Sequence, residues 1–146
     1  AGLDATGNTD WSPSTAFGSG TDPATTLTIS SGAENIVPVL WYVPVAITID
    51  EVRVIASTDS ADTLNFHLFS YTMATGTGSG AGDLSSGTLL AHNGSTLTTG
   101  DDRITTTTLT VDSANVASDK VIIAFVENVG ATTDVTAQLL VKYHYQ

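Results

Sequence analysis

From Thr25 onward, apolar and polar residues alternate in short stretches separated by Gly, Asn, Asp, Ser and Pro. A period of two between turn formers is the signature of half-buried strands. Strands are expected over Thr25–Ser30, Val37–Val43, Ala46–Ser57, Thr63–Thr72, Thr88–His92, Arg103–Val111, Lys120–Asn128 and Val135–Tyr145. About eight short strands with no long 3.6-residue period predict an all-β, antiparallel β-sandwich, jelly-roll-like in arrangement. Val111–Asp119 has room for one short helical turn at most.

The phase of the alternation assigns faces. In the last strand Val135, Ala137, Leu139, Val141, Tyr143 and Tyr145 share one side and are expected to face the core, with Leu140 the apolar exception opposite. In Val121–Val126 both faces are apolar, which predicts a central strand covered on both sides. The apolar positions are odd in Val45, Ile47 and Ile49 but even in Val52, Val54 and Ala56. A β-bulge or sharp bend at Asp50–Glu51 would restore the inward direction after that slip, and a corner is expected there. Pro38 and Pro44 bracket Val39–Val43, so this aromatic segment belongs at a sheet edge or at a crossing between sheets.

Residues 1–24 are rich in Gly, Ser, Thr, Asp and Pro, with Leu3, Trp11 and Phe17 as the large apolar residues. Such a stretch buries too little area to fold alone. It is expected to be an extended N-terminal arm on a sandwich domain of residues 25–146, its three apolar side chains anchoring on its own domain or on a neighbour. The start shows no basic and apolar signal-peptide pattern. A second glycine-rich stretch, Ala74–Gly87, is expected as a long loop.

Composition narrows the partners. The chain of 146 residues has 15 acidic and 4 basic residues, a formal net charge of -11. That sign repels phosphate backbones and anionic lipid, so neither nucleic acid nor membrane is expected as a partner. No apolar run reaches the roughly 18 residues of a membrane helix. Cysteine is absent, which excludes disulfides and thiolate metal sites.

Candidate chemistry is sparse, and no enzyme or cofactor is expected. The Gly76–Gly80 stretch lacks the Gly-Lys-Ser/Thr ending of a phosphate cradle and the following helix of a dinucleotide site. His67, His92 and His144 have no second histidine at metal-ligand spacing, and His67 and His144 fall on expected polar faces. No Gly-x-Ser-x-Gly elbow is present. Asp50 and Glu51 point to opposite faces if their strand is regular, which separates them as an acid–base pair. Asp59 with Asp62, and Asp101 with Asp102, offer oxygen ligands for calcium without the twelve-residue loop spacing, and solvated turn aspartates are the simpler expectation.

The stretches Trp41–Val54, Leu64–Phe69, Gly87–Ala91 and Val135–Tyr145 give residues 25–146 a texture that resembles the small jelly-roll structural proteins of tailed bacteriophages, in particular capsid decoration or cement proteins. The resemblance implies a non-enzymatic subunit on the outer capsid surface of the virion, present as a dimer or trimer and bound to the major capsid protein. Leu3, Trp11, Phe17, Trp41 and Tyr42 are the residues expected to carry partner contacts. The alternative is a receptor- or carbohydrate-binding sandwich of a tail fibre, with Trp41, Tyr42, Tyr71, Tyr143 and Tyr145 as platform candidates. Two or more exposed coplanar rings around a groove would favour it. A surface-layer or pilus-like subunit is a third class, marked by a strand inserted into a neighbour.

Overall fold

The computed structural model describes residues 41–73, 75, 84–94, 97–100, 103–128 and 135–146. Leu3, Trp11, Phe17, the expected arm, the expected Thr25–Ser30 strand, residues 37–40 with Pro38, Asp101 and Asp102 lie outside the described residues, as does most of the Ala74–Gly87 stretch.

The described chain is all strand and turn. Its strands are β1 (Trp41–Val43), β2 (Ile47–Thr58), β3 (Thr63–Met73), β4 (Leu84–His92), β5 (Leu97–Thr98), β6 (Thr105–Thr108), β7 (Thr110–Val111), β8 (Asn115–Val116), β9 (Lys120–Asn128) and β10 (Val135–Tyr145). All pairings are antiparallel and make two sheets. The larger sheet runs β1-β9-β3-β4-β7 with β5 also on β3, and the smaller runs β10-β2-β6 with β8 also on β2. The main core fills the space between them, with Ile47, Ile49, Val52, Val54 and Ala56 from β2 against Leu64, Phe66 and Leu68 from β3 and Ile122 from β9. This is the sandwich that the period-two pattern predicts.

The phase slip in β2 is a bulge. Val141 pairs with Val52 and Lys142 with Glu51, but Tyr143 pairs with Ile49, so Asp50 is the extra residue. Its insertion lets Ile47 and Ile49 bury on the same side as Val52, Val54 and Ala56. No corner follows, since β2 stays beside β10 along its whole length. The bulge also changes the expectation for the two carboxylates. Both reach the outer face, where Glu51 Oε1 meets Arg53 at 3.0 Å and Asp50 Oδ1 meets His144 Nδ1 at 2.9 Å.

β9 is apolar on both faces for the reason its sequence suggests. Ile122 belongs to the main core, whereas Val121, Ile123 and Phe125 join Phe69, Tyr71 and Leu84 in a second buried cluster on the opposite face of the larger sheet. His67 lies on that second face too. It is buried, against the expectation of a polar face, because β3 is an interior strand with apolar residues on both sides. Its ring stacks on that of His92, with centroids 6.4 Å apart and planes at 13°, and His92 Nδ1 lies 2.7 Å from Asp112 Oδ2.

The threonine-rich stretch from Arg103 to Val111 is two strands, not one. β6 pairs with β2 in the smaller sheet, and after Leu109 the chain joins β4 in the larger sheet as β7. Leu109 is buried at the crossing and its N–H donates to the Val52 carbonyl at 2.8 Å. β8 then returns to β2, so residues 105–116 stitch one long side of the sandwich shut. The 111–119 region holds β8 and a turn in place of a helical turn. The turn ends on Asp119 at φ 63, whose N–H donates to the Val43 carbonyl at 2.7 Å. β4 begins at Leu84, four residues before the expected Thr88, with Ser86 at φ 53 where the register with β3 shifts.

Candidate functional site

The other long side of the sandwich is bounded by β1 in the larger sheet and β10 in the smaller, and among the described residues each is an edge. Aromatic residues gather there. Trp41 in β1 and Tyr143 in β10 bring their ring centroids to 4.7 Å with planes tilted at 51°, a contact made across the two sheets. Tyr143 in turn meets Tyr145 edge-to-face, at 5.9 Å and 88°. Pairing with Ile49 and Ile47 directs Tyr143 and Tyr145 to the inner face, as their phase predicts. They project past the end of the core, however, and are exposed by 39% and 66%.

Trp41 and Tyr42 are adjacent in a strand and therefore diverge. Trp41 turns inward and is half-buried against the main core, and Tyr42 turns outward and is exposed. The Tyr42 hydroxyl donates to Asp119 Oδ1 at 2.6 Å, closing the turn before β9 onto β1. That bond to a carboxylate, aided by slight desolvation and by the negative charge of Asp119, raises the Tyr42 pKa above its ordinary value. A hydrogen bond with Tyr145 raises that of Tyr143 in the same direction, followed by the charge of Tyr145 and desolvation.

β10 itself is the notable edge. It runs for 11 residues, and Thr136, Ala137, Gln138, Leu140, Lys142 and His144 are all exposed in addition to the two tyrosines. Val135, Leu139 and Val141 pack partly into the core and fix the strand to the domain. Lys142 and His144 are its ionisable side chains other than the phenols, and no carboxylate lies on it, although the chain carries a net charge of -11. Long flat edges are a pairing hazard that folds usually blunt by proline, bulges or several charges. Here one lysine and one histidine stand alone, and the bulge falls on β2.

Of the other candidates, Tyr71 is wholly buried in the second cluster, where burial raises its pKa strongly, and so it belongs to no surface platform. Trp41, Tyr143 and Tyr145 present crossing planes, not a coplanar stack. Asp62 is buried and structural: its Oδ1 accepts the Thr63 N–H at 2.7 Å, and its carbonyl accepts the Thr99 N–H at 2.8 Å. Among the described residues, no three His, Asp or Glu side chains gather closely enough to hold a metal ion. The β10 edge is the feature that residue-by-residue reading missed. Its signal was present in the lone out-of-phase Leu140 and in the lack of acids from Val135 to Tyr145.

Comparison with protein families, with curated proteins and with solved structures finds no match for this chain.

Proposed function

We propose that this chain is a non-enzymatic structural protein, a capsid decoration (cement) subunit that sits on the outer surface of a tailed-bacteriophage shell and binds the major capsid protein. One observation carries the reading: among the described residues an antiparallel sandwich exposes an 11-residue edge strand that ends in an aromatic cluster, a surface suited to contact with another protein. Exposed Leu140, Tyr143 and Tyr145 supply apolar and amphipathic area of the kind enriched at protein interfaces. The acidic remainder of the molecule complements a basic shell exterior. Leu3, Trp11 and Phe17 in residues 1–24 are proposed as further contacts with the shell, on their sequence alone.

The receptor- or carbohydrate-binding alternative is the weaker reading. A sugar platform needs rings that lie flat along one groove, and the planes at this edge cross at 51° and 88°.

Copy number decides between them. Particles from the source material are fractionated on a density gradient and the chain is quantified against the most abundant shell protein. Hundreds of copies migrating with the shell support decoration. A few copies per particle would make it a tail component, and absence from every particle would overturn the viral reading. A second arm of the test removes Ala1–Phe17, which is expected to leave a folded sandwich with weakened attachment. Unchanged attachment would take the arm out of the interface.

A further inference from the structure

β10 combines three properties that bear on its partner. It is an edge among the described residues, it carries exposed apolar side chains, and it lacks carboxylates. Two molecules of net charge -11 repel one another over most approaches. β10 has no carboxylate of its own, so two copies of the strand meet without setting acid against acid along their backbones.

The residues of the strand also suit pairing with themselves. An antiparallel pair about a two-fold axis is in full register when the axis passes the middle residue, and the middle of Val135–Tyr145 is Leu140. Residue pairs across the axis then have the same parity and share a face. On the inner face Val141 meets Leu139, Tyr143 meets Ala137 and Tyr145 meets Val135, so each aromatic ring lies over a small or branched apolar partner. On the outer face Lys142 meets Gln138, His144 meets Thr136, and Leu140 meets its own copy. No like charges face each other. Every other register loses pairs at the ends.

We propose that two copies of this chain associate through β10, edge to edge and antiparallel about Leu140, so that their smaller sheets join into one continuous sheet. This rests on the reading of the edge as a protein-contact surface and names a second copy of the chain as the occupant of the strand's backbone. The interface is isologous, so one substitution acts twice. Leu140 is 43% exposed and lies outside the core, which makes it replaceable without damage to the monomer.

The test is the oligomeric state of the full chain by sedimentation or light scattering, over a range of micromolar concentrations. The wild type is expected to be a dimer. Leu140→Lys and Leu140→Glu each place like charges on the axis and are expected to be folded monomers. Mixed in equal amounts, they are expected to form a heterodimer, because the opposite charges now face each other. A wild-type monomer, a trimer, or a dimer that both substitutions leave intact would overturn the proposal. Attachment to particles is measured on the same variants and separates the two readings: loss of attachment by Leu140→Glu in a wild type that is monomeric keeps the edge as a contact surface but gives it to the shell. Unchanged attachment together with an unchanged oligomeric state would remove both.

Discussion

Trp41 and Tyr143 come from different sheets and lie 102 positions apart in the chain (143 − 41), yet their rings meet at 4.7 Å. Neither β1 nor β10 is fastened to the other by backbone pairing. Among the described residues this contact joins the two sheets on that side, as the Leu109 crossing does on the other. Trp41 is half-buried, so Trp41→Ala is expected to cost about 2 kcal/mol, below the 3–5 kcal/mol of a fully buried aromatic truncation. A double-mutant cycle with Tyr143→Ala should return a coupling of about 1 kcal/mol. Urea unfolding of the four proteins measures both, and a coupling near zero would mean that the two edges do not depend on each other.

The second cluster predicts that the larger sheet is stabilised from both faces. Phe66 faces the other sheet and Phe125 faces away from it, but both are buried. Phe125→Ala is accordingly expected to destabilise by about 3 kcal/mol or more, as much as Phe66→Ala. A loss below 1 kcal/mol for Phe125→Ala alone, in the same unfolding assay, would show that its face contributes little to the fold.

The bulge at Asp50 separates a residue's side chain from its place in the chain. The ion pair of Asp50 with His144 is exposed, so Asp50→Ala should change stability by no more than about 1 kcal/mol. Deletion of Asp50 removes the extra residue and forces Ile47 and Ile49 onto the outer face or breaks their pairing with Tyr145 and Tyr143. The deletion is expected to lower the melting temperature far more than the substitution. Equal effects would contradict the register described for β2 and β10.

That bulge was legible in the sequence, because the switch from odd to even apolar positions is a local pattern that only one inserted residue repairs. The double-sided burial of Val121–Val126 was legible for a similar reason. Short pairings were not. β5 and β8 have two residues each, and Leu97–Thr98 or Asn115–Val116 carry no period of their own. They form because β3 and β2 offer unpaired backbone there. The break at Leu109 also escaped, since a strand that changes sheets keeps its alternation while its partners change. Faces were legible in β2, whose outer side is mostly polar; in β10 the phase gave the side but not the burial, since Ala137, Tyr143 and Tyr145 are exposed, and at His67 the alternation of a histidine with apolar residues gives no sign that both sides are buried. The candidate site followed the same division. Trp41 and Tyr42 were singled out by composition, but the neighbour of Trp41 is Tyr143, and only the pairing of β10 with β2 brings that ring to the β1 edge.

The tyrosines set the expected response of the molecule to alkaline pH. Three of its four phenols, Tyr42, Tyr71 and Tyr143, have pKa values raised above the ordinary 10.0 in the folded state. For Tyr42 the first cause is the hydrogen bond to Asp119, for Tyr143 the hydrogen bond with Tyr145, and for Tyr71 burial. A raised pKa means that the folded state holds its proton to higher pH than the unfolded state does. Their contribution is therefore fully present below pH 10 and is lost as pH rises through the folded values. Thermal stability is expected to be insensitive to these groups at neutral pH and to fall steeply above pH 10. Tyr71→Phe keeps the buried ring but removes its proton, so it should flatten that alkaline fall, and Tyr42→Phe should flatten it less because Tyr42 lies in solvent. Melting curves at intervals from pH 8 to pH 12 test this directly. An alkaline slope identical in wild type and Tyr71→Phe would show that Tyr71 ionises as readily in the folded protein as in the unfolded chain, contrary to its burial between Phe69 and Phe125.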